Sequence, residues 1–187
     1  MNMQETIRAF FSDAAANGKH IGKELRNSSL DLVAAEGVSV SEHSPGRVTD
    51  EETLARLVFT PLFLDEDTGG PTTAAFKDAA TRGLSVDRLE LVGQREVHQR
   101  RFEKEKTTNA RKGGVNPVSY AGFVHVPCGA VRGLWDDEDI RQFFVFDTAT
   151  TENHAHADIC HARFANDLKM RLARTNLMKA FRPVVRP

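Results

Sequence analysis

Cysteine is scarce in this sequence: Cys128 and Cys160 are the only two among 187 residues. Two thiols do not make a disulfide framework, and a reducing cytoplasm is the expected setting. Long apolar runs are also missing. The longest, such as Phe143 to Phe146, fall far short of the ~20 residues of a membrane helix, so no membrane span is expected. The stretch Met1-Asn2-Met3-Gln4-Glu5 lacks a basic region leading into an apolar core, so the start of the chain reads without a signal peptide. There is no internal repeat, no low-complexity tract and no glycine fingerprint for a dinucleotide. Gly69-Gly70-Pro71-Thr72-Thr73 and Gly113-Gly114 lack the Gly-Lys-Ser/Thr ending that cradles phosphate, and both read as loops.

With 40% hydrophobic and 27% charged residues, the chain has the composition of a soluble globular protein large enough for one real core. The net charge of −1 hides a gradient. Residues 1–93 carry nine Lys/Arg against fifteen Asp/Glu, and residues 94–187 carry sixteen against eleven. Such asymmetry suits either a polyanion-binding half or two halves that complement each other in one fold; near-neutrality favours the second.

Helices come first. Met3, Ile7, Phe10, Phe11 and Ala14 fall at helical spacing and Asn17-Gly18 is a stop; residues 19–36 read as helical with a break near Asn27-Ser28-Ser29. Val38 to Ser41 alternates like a short strand. Thr49 and Glu52 have capping-box spacing, which predicts a short helix burying Leu54, Leu57 and Val58 and ending at Pro61. A further short helix is expected over Thr72–Ala80, then a strand over Leu84–Val92. Residues 94–114 read as an exposed helix followed by a loop, or as a partly disordered segment. Strands are expected over Tyr120–Val126, Gln142–Thr148 and Ala155–Cys160. A closing helix from Ala162 to Phe181 would bury Phe164, Leu168 and Leu172 against them. The sum is one α+β domain over 1–187: a small antiparallel sheet, helices N-terminal to it with 1–48 at the periphery, and a C-terminal packing helix.

The chemistry concentrates in Asn153-His154-Ala155-His156-Ala157-Asp158-Ile159-Cys160-His161. On a strand, His154, His156, Asp158 and Cys160 share one face, while Ala155, Ala157 and Ile159 let another element pack closely on the other. His154, His156 and Asp158 form a His-x-His-x-Asp run that resembles the metal-binding motif of metallo-β-lactamase-type hydrolases. That resemblance implies a divalent metal such as zinc that activates a water. Further ligands would come from His98, His125 or Cys128, because only 29 residues follow Asp158 and His161 would point away. The plainer reading is a strand edge of hydrogen-bonded histidines. His125 and Cys128 also invite a thiol–imidazole reading, against the commoner inert buried cysteine. Arg95, Arg100, Arg101, Lys104, Lys106, Arg111 and Lys112 could contact nucleic-acid phosphates, but Glu96, Glu103 and Glu105 interleave with them. Only Phe102 and Tyr120 are nearby to stack on bases.

Three pieces of sequence carry a further resemblance. They are Arg56-Leu57-Val58-Phe59-Thr60-Pro61 with the acidic-glycine loop after it, Thr72-Thr73-Ala74-Ala75-Phe76 with Leu84-Ser85-Val86-Asp87-Arg88, and Asn153-His154-Ala155-His156-Ala157. From about Leu54 to Leu172 the chain resembles a family of small bacterial proteins with no assigned activity. Its members tend to have two serines at 72–73 and proline at 154, so His156 matches and His154 and Asp158 are extras. The resemblance implies a soluble bacterial protein. The expected function is a non-catalytic interaction or accessory protein of a bacterial multigene system, with a protein partner and no cofactor. The alternatives are a metal-dependent hydrolase at His154, His156 and Asp158, and a nucleic-acid-binding module using Arg100, Arg101, Lys104, Lys106, Arg111 and Lys112.

Overall fold

The structure, a computed structural model, describes residues 2–162 and 166–187. The chain begins with three helices: α1 (Met3–Ala16), α2 (Ile21–Asn27) and α3 (Leu32–Glu36). The α1 start is a reciprocal capping box in which Asn2 and Glu5 each accept the other's backbone N–H, at 2.9 and 2.8 Å. Gly18, at φ +61°, lets the chain turn out of the helix. Asp31 caps α3 by accepting from Val33 and Ala34. Residues 38–41 form no strand; their polar groups bond instead to the end of the sheet.

The expected helix at Leu54–Pro61 is a strand, β1 (Thr53–Thr60), at an interior position of the sheet. Its apolar residues serve both faces: Leu54 and Val58 pack on one side, Ala55 and Leu57 on the other. A strand buried on both faces reads as a continuous apolar run, and such a run also satisfies a helical template. Glu52 does accept the Thr49 N–H at 2.8 Å, but its main engagement is a two-pronged pair with Arg88, at 2.6 and 2.8 Å.

A 3-10 helix (Thr73–Ala80) leads to β2 (Leu84–Arg88), which ends four residues before the expected limit and runs into α4 (Leu89–Arg111). Gly93, at φ +67°, breaks the first turn of α4 from the rest. Residues 94–111 are therefore a continuous helix. Then follow β3 (Ser119–Pro127), α5 (Cys128–Arg132), β4 (Phe143–Phe146), β5 (His156–His161) and α6 (Asp167–Ala180). The five strands form one antiparallel sheet in the order β3-β1-β2-β5-β4. The fold is α+β, with helices N-terminal to the sheet and a helix after it.

One sheet face is covered by the 3-10 helix, α5 and α6, around Leu54, Leu84, Val124, Phe143, Ile159 and Leu177. The other carries two separate apolar clusters. Helices α1–α3 cover β4 and Cys160 of β5, with Phe11 against Phe146 at 5.1 Å between ring centres. Helix α4 covers β1 and β3 through Val97, Leu57 and Phe123. On that same face, β2 and β5 pair Ser85 with Asp158 and Asp87 with His156. Polar groups therefore hold the middle of this face, between the two apolar clusters.

The stripe expected on α6 is misplaced. Leu168 is 66% exposed and Leu172 57%, while Ala173 and Leu177 are the residues that pack inward. Phe164 lies outside the described residues. The helix begins at Asp167, capped by Asn166, and the face carrying Ala173 and Leu177 is the one packed into the core. No helix among the described residues is long and apolar enough to cross a membrane.

Candidate functional site

The histidine segment divides at Ala155. His154 sits in a turn ahead of β5 and is exposed; the strand begins at His156. The shared face therefore holds His156, Asp158 and Cys160, but not His154. Ala157 and Ile159 go into the opposite core, as their small and β-branched shapes suit. The loop before the strand is fixed by Asn153, whose amide donates to Asp87 at 2.8 Å and whose carbonyl accepts from Arg100 at 2.6 Å.

His156 and Asp158 meet on one hydroxyl. Thr148 Oγ1 donates to Asp158 Oδ2 at 2.7 Å and stands 3.0 Å from His156 Nδ1; Nδ1 is also 3.0 Å from the Thr148 carbonyl oxygen. The hydroxyl hydrogen is committed to the carboxylate. The network then assigns the Nδ1 hydrogen to His156, donated to Thr148, and Nε2 becomes an acceptor. Asp158 thus orients Thr148, and Thr148 sets the imidazole. Behind Asp158 the main chain passes at Gly83, φ +89°, where a side-chain carbon would lie 2.9 Å from the carboxyl carbon. Only glycine fits there.

These groups form the floor of a cavity of about 770 Å³. One wall is the α1 face at Phe11, Ala14 and Ala15, and the other walls are residues 40–43 and 148–151. The two loops are tied together. Asp147 Oδ1 accepts the Val40 N–H at 2.6 Å, and Ser41 Oγ donates to the Ala149 carbonyl at 2.6 Å. Burial raises the Asp147 carboxyl above its usual range, against the lowering effect of its hydrogen bonds. The exposed lining is largely cationic: Arg8, Lys19 and Arg82, with Glu42 as the opposing charge. Lys19 pairs with Asp13 at 2.8 Å and Arg8 Nε donates to the Ser39 carbonyl, while the Arg82 guanidinium has no partner among the described residues.

The remaining residues singled out in the sequence are scattered. His98, on α4, meets the Tyr120 hydroxyl at 3.0 Å and packs on Phe123. His125 belongs to β3, and burial lowers both of these imidazoles. Cys128 is wholly enclosed, its thiol pushed up to about 12 by burial; Cys160 is raised the same way. Neither environment favours a thiolate nucleophile. Among the described residues no group of three or more His, Cys, Asp or Glu is placed to hold a metal ion. On α4, Arg101 turns inward to the buried Asp87, and Arg100 pairs with Glu96. Lys104, Lys106, Arg111 and Lys112 stay exposed, and Lys112 donates to the Asn116 carbonyl.

The sequence carries no sign of the roles of Thr148, Gly83, Arg82 and Arg8. A threonine after a strand carries no signal of its own, and its role arises from strand pairing. The chain matches no family model, no curated protein and no solved structure.

Proposed function

We propose that this protein is a non-catalytic binding protein that takes a polar small molecule into the cavity between α1 and β5 and acts as an accessory component of a larger bacterial system. The observation that carries this reading is the cavity of about 770 Å³ floored by the Asp158–Thr148–His156 chain. Its volume is that of ordinary small-molecule sites, and it joins an apolar wall to a few convergent polar groups. The floor offers acceptors, Asp158 and His156 Nε2. The exposed lining offers cations, Arg8, Lys19 and Arg82. The matching ligand has a hydrogen-bond donor at one end and an anionic group at the other, as an amino or hydroxy acid does.

Binding is favoured over catalysis because the described residues set no serine, threonine or cysteine nucleophile against His156 Nε2. Thr148 has already given its hydrogen to Asp158. A metal-dependent reading would need His154, which lies outside the strand. A thermal-shift panel of small hydroxy and amino acids tests the binding reading, comparing wild type with Ala15→Phe, which fills the cavity from the α1 side. Stabilisation of the wild type alone supports it. No stabilisation, or equal stabilisation of both, refutes it.

A further inference from the structure

A second concavity lies on the other side of the sheet. The end of the 3-10 helix, the last residue of β5 and the first turns of α6 enclose a recess of about 350 Å³, lined by Ala80, His161, Asp167, Met170, Arg171 and Arg174. Three arginines gather around it. Arg171 and Arg174 line it, and Arg26 of α2 reaches it with Nη1 3.2 Å from the Met170 sulfur. A thioether is a weak acceptor for a guanidinium.

None of these three guanidiniums has a carboxylate partner among the described residues, and Arg174 Nε is buried with no hydrogen bond. Elsewhere Arg101 and Arg141 also leave Nε unpaired, but each holds a carboxylate, and buried Arg56 donates to two backbone carbonyls. Arg88 holds Glu52, Arg101 holds Asp87, and Arg132 and Arg141 share Glu36. An arginine with an unsatisfied buried nitrogen carries a desolvation cost that an anion would remove. Among the described lining residues Asp167 is the one carboxylate, against Arg171 and Arg174, and Arg26 beside Met170 brings the local excess to two positive charges. His161 adds none near neutrality. Burial, helped by Arg26 and Arg174, pushes its imidazole down to about 3.

We propose that this recess binds a phosphate dianion, either free or as the head of a small phosphate monoester. A dianion matches the excess charge, where a carboxylate would neutralise half of it. The planar forks of Arg26, Arg171 and Arg174 suit three phosphate oxygens, and such charge-assisted pairs are the strong ones. The volume leaves room for a small body behind the phosphate. This site is separate from the cavity at His156 and does not depend on that reading.

The test is calorimetric titration with inorganic phosphate and with phenyl phosphate at fixed ionic strength, with chloride and acetate as controls. The expected result is saturable phosphate binding that weakens at least tenfold in Arg174→Gln and in Arg26→Gln and is unchanged in Arg111→Gln, at an exposed position of α4 away from both concavities. Tighter binding of phenyl phosphate than of phosphate assigns the monoester as the ligand class; weaker binding assigns the free ion. Arg171→Gln, at an exposed position, serves if Arg174→Gln fails to fold, and should also weaken binding. Absence of binding at millimolar phosphate, equal binding of acetate, or loss of binding in Arg111→Gln with retention in the other variants would overturn the proposal.

Discussion

The backbone of Gly83 rests directly on the carboxyl group of Asp158: a side-chain carbon at residue 83 would stand 2.9 Å from both its carbon and Oδ1. Glycine is needed there twice over, for that contact and for its φ of +89°. Gly83→Ala should therefore cost about 1–3 kcal/mol and push Asp158 off Thr148. Urea unfolding measures the first effect. The second appears as a change in the His156 ring nitrogen shifts, since Nδ1 would lose its fixed partner. Wild-type stability and unchanged ring shifts would show that the Asp158–Thr148–His156 chain does not depend on this contact.

On α6 the structure reverses the reading that helical spacing suggests. Leu177 is fully buried beside Ala173, and Leu168 is two-thirds exposed. Leu177→Ala should cost about 2–5 kcal/mol, and Leu168→Ala less than about 0.5 kcal/mol. Chemical denaturation of the two variants checks the pair. A larger loss from Leu168→Ala than from Leu177→Ala would mean that the helix is rotated.

Much of the fold was legible, for reasons that vary by element. Ile7, Phe11 and Ala14 announce α1 because one face is apolar and the other polar. Tyr120 to Val126 announces β3 by alternation. β1 was not legible, because an interior strand buried on both faces loses its period-two signal. The phase of α6 was lost because Leu168 and Leu172 match the helical template as well as Ala173 and Leu177 do, and packing against the core selects the second pair. At the site, His156 and Asp158 were found by their residue types, and their shared face follows from strand periodicity. Thr148, Gly83 and Arg82 were not, because what matters is which loops the sheet order brings together.

Asp87 and Arg101 form a buried pair between β2 and α4, with 2% and 6% exposure. Arg101→Met should cost about 3–5 kcal/mol by leaving the Asp87 carboxylate uncompensated. Asp87→Asn in the same chain should recover a large part of it. A double-mutant cycle by urea unfolding reads the coupling, and additive losses would show that the pair is not energetically joined.

His161 predicts a pH dependence of known sign. Its folded imidazole lies near 3, below the ordinary histidine value, chiefly because it is buried. At neutral pH both folded and unfolded chains hold it neutral, and it contributes nothing. As pH falls through about 6.5, the unfolded chain takes up a proton that the folded chain refuses until about pH 3. Stability is therefore lost on acidification, at up to about 1.4 kcal/mol per pH unit. Between pH 6.5 and 5, wild type should lose about 1.7 kcal/mol more than His161→Gln. Equal slopes in urea melts across that range would show that this ring titrates normally.

The most direct measurement is backbone and imidazole NMR of the wild-type protein during titration with the small hydroxy or amino acid that stabilises it most, repeated on Ala15→Phe. Shifts should concentrate at Val40, Ser41, Ala149 and Thr150 and at the His156 Nε2 resonance, and should vanish in Ala15→Phe, because these residues enclose the cavity. Shifts that avoid His156 and both loops, or that persist unchanged in Ala15→Phe, would contradict the assignment of this cavity as the binding site.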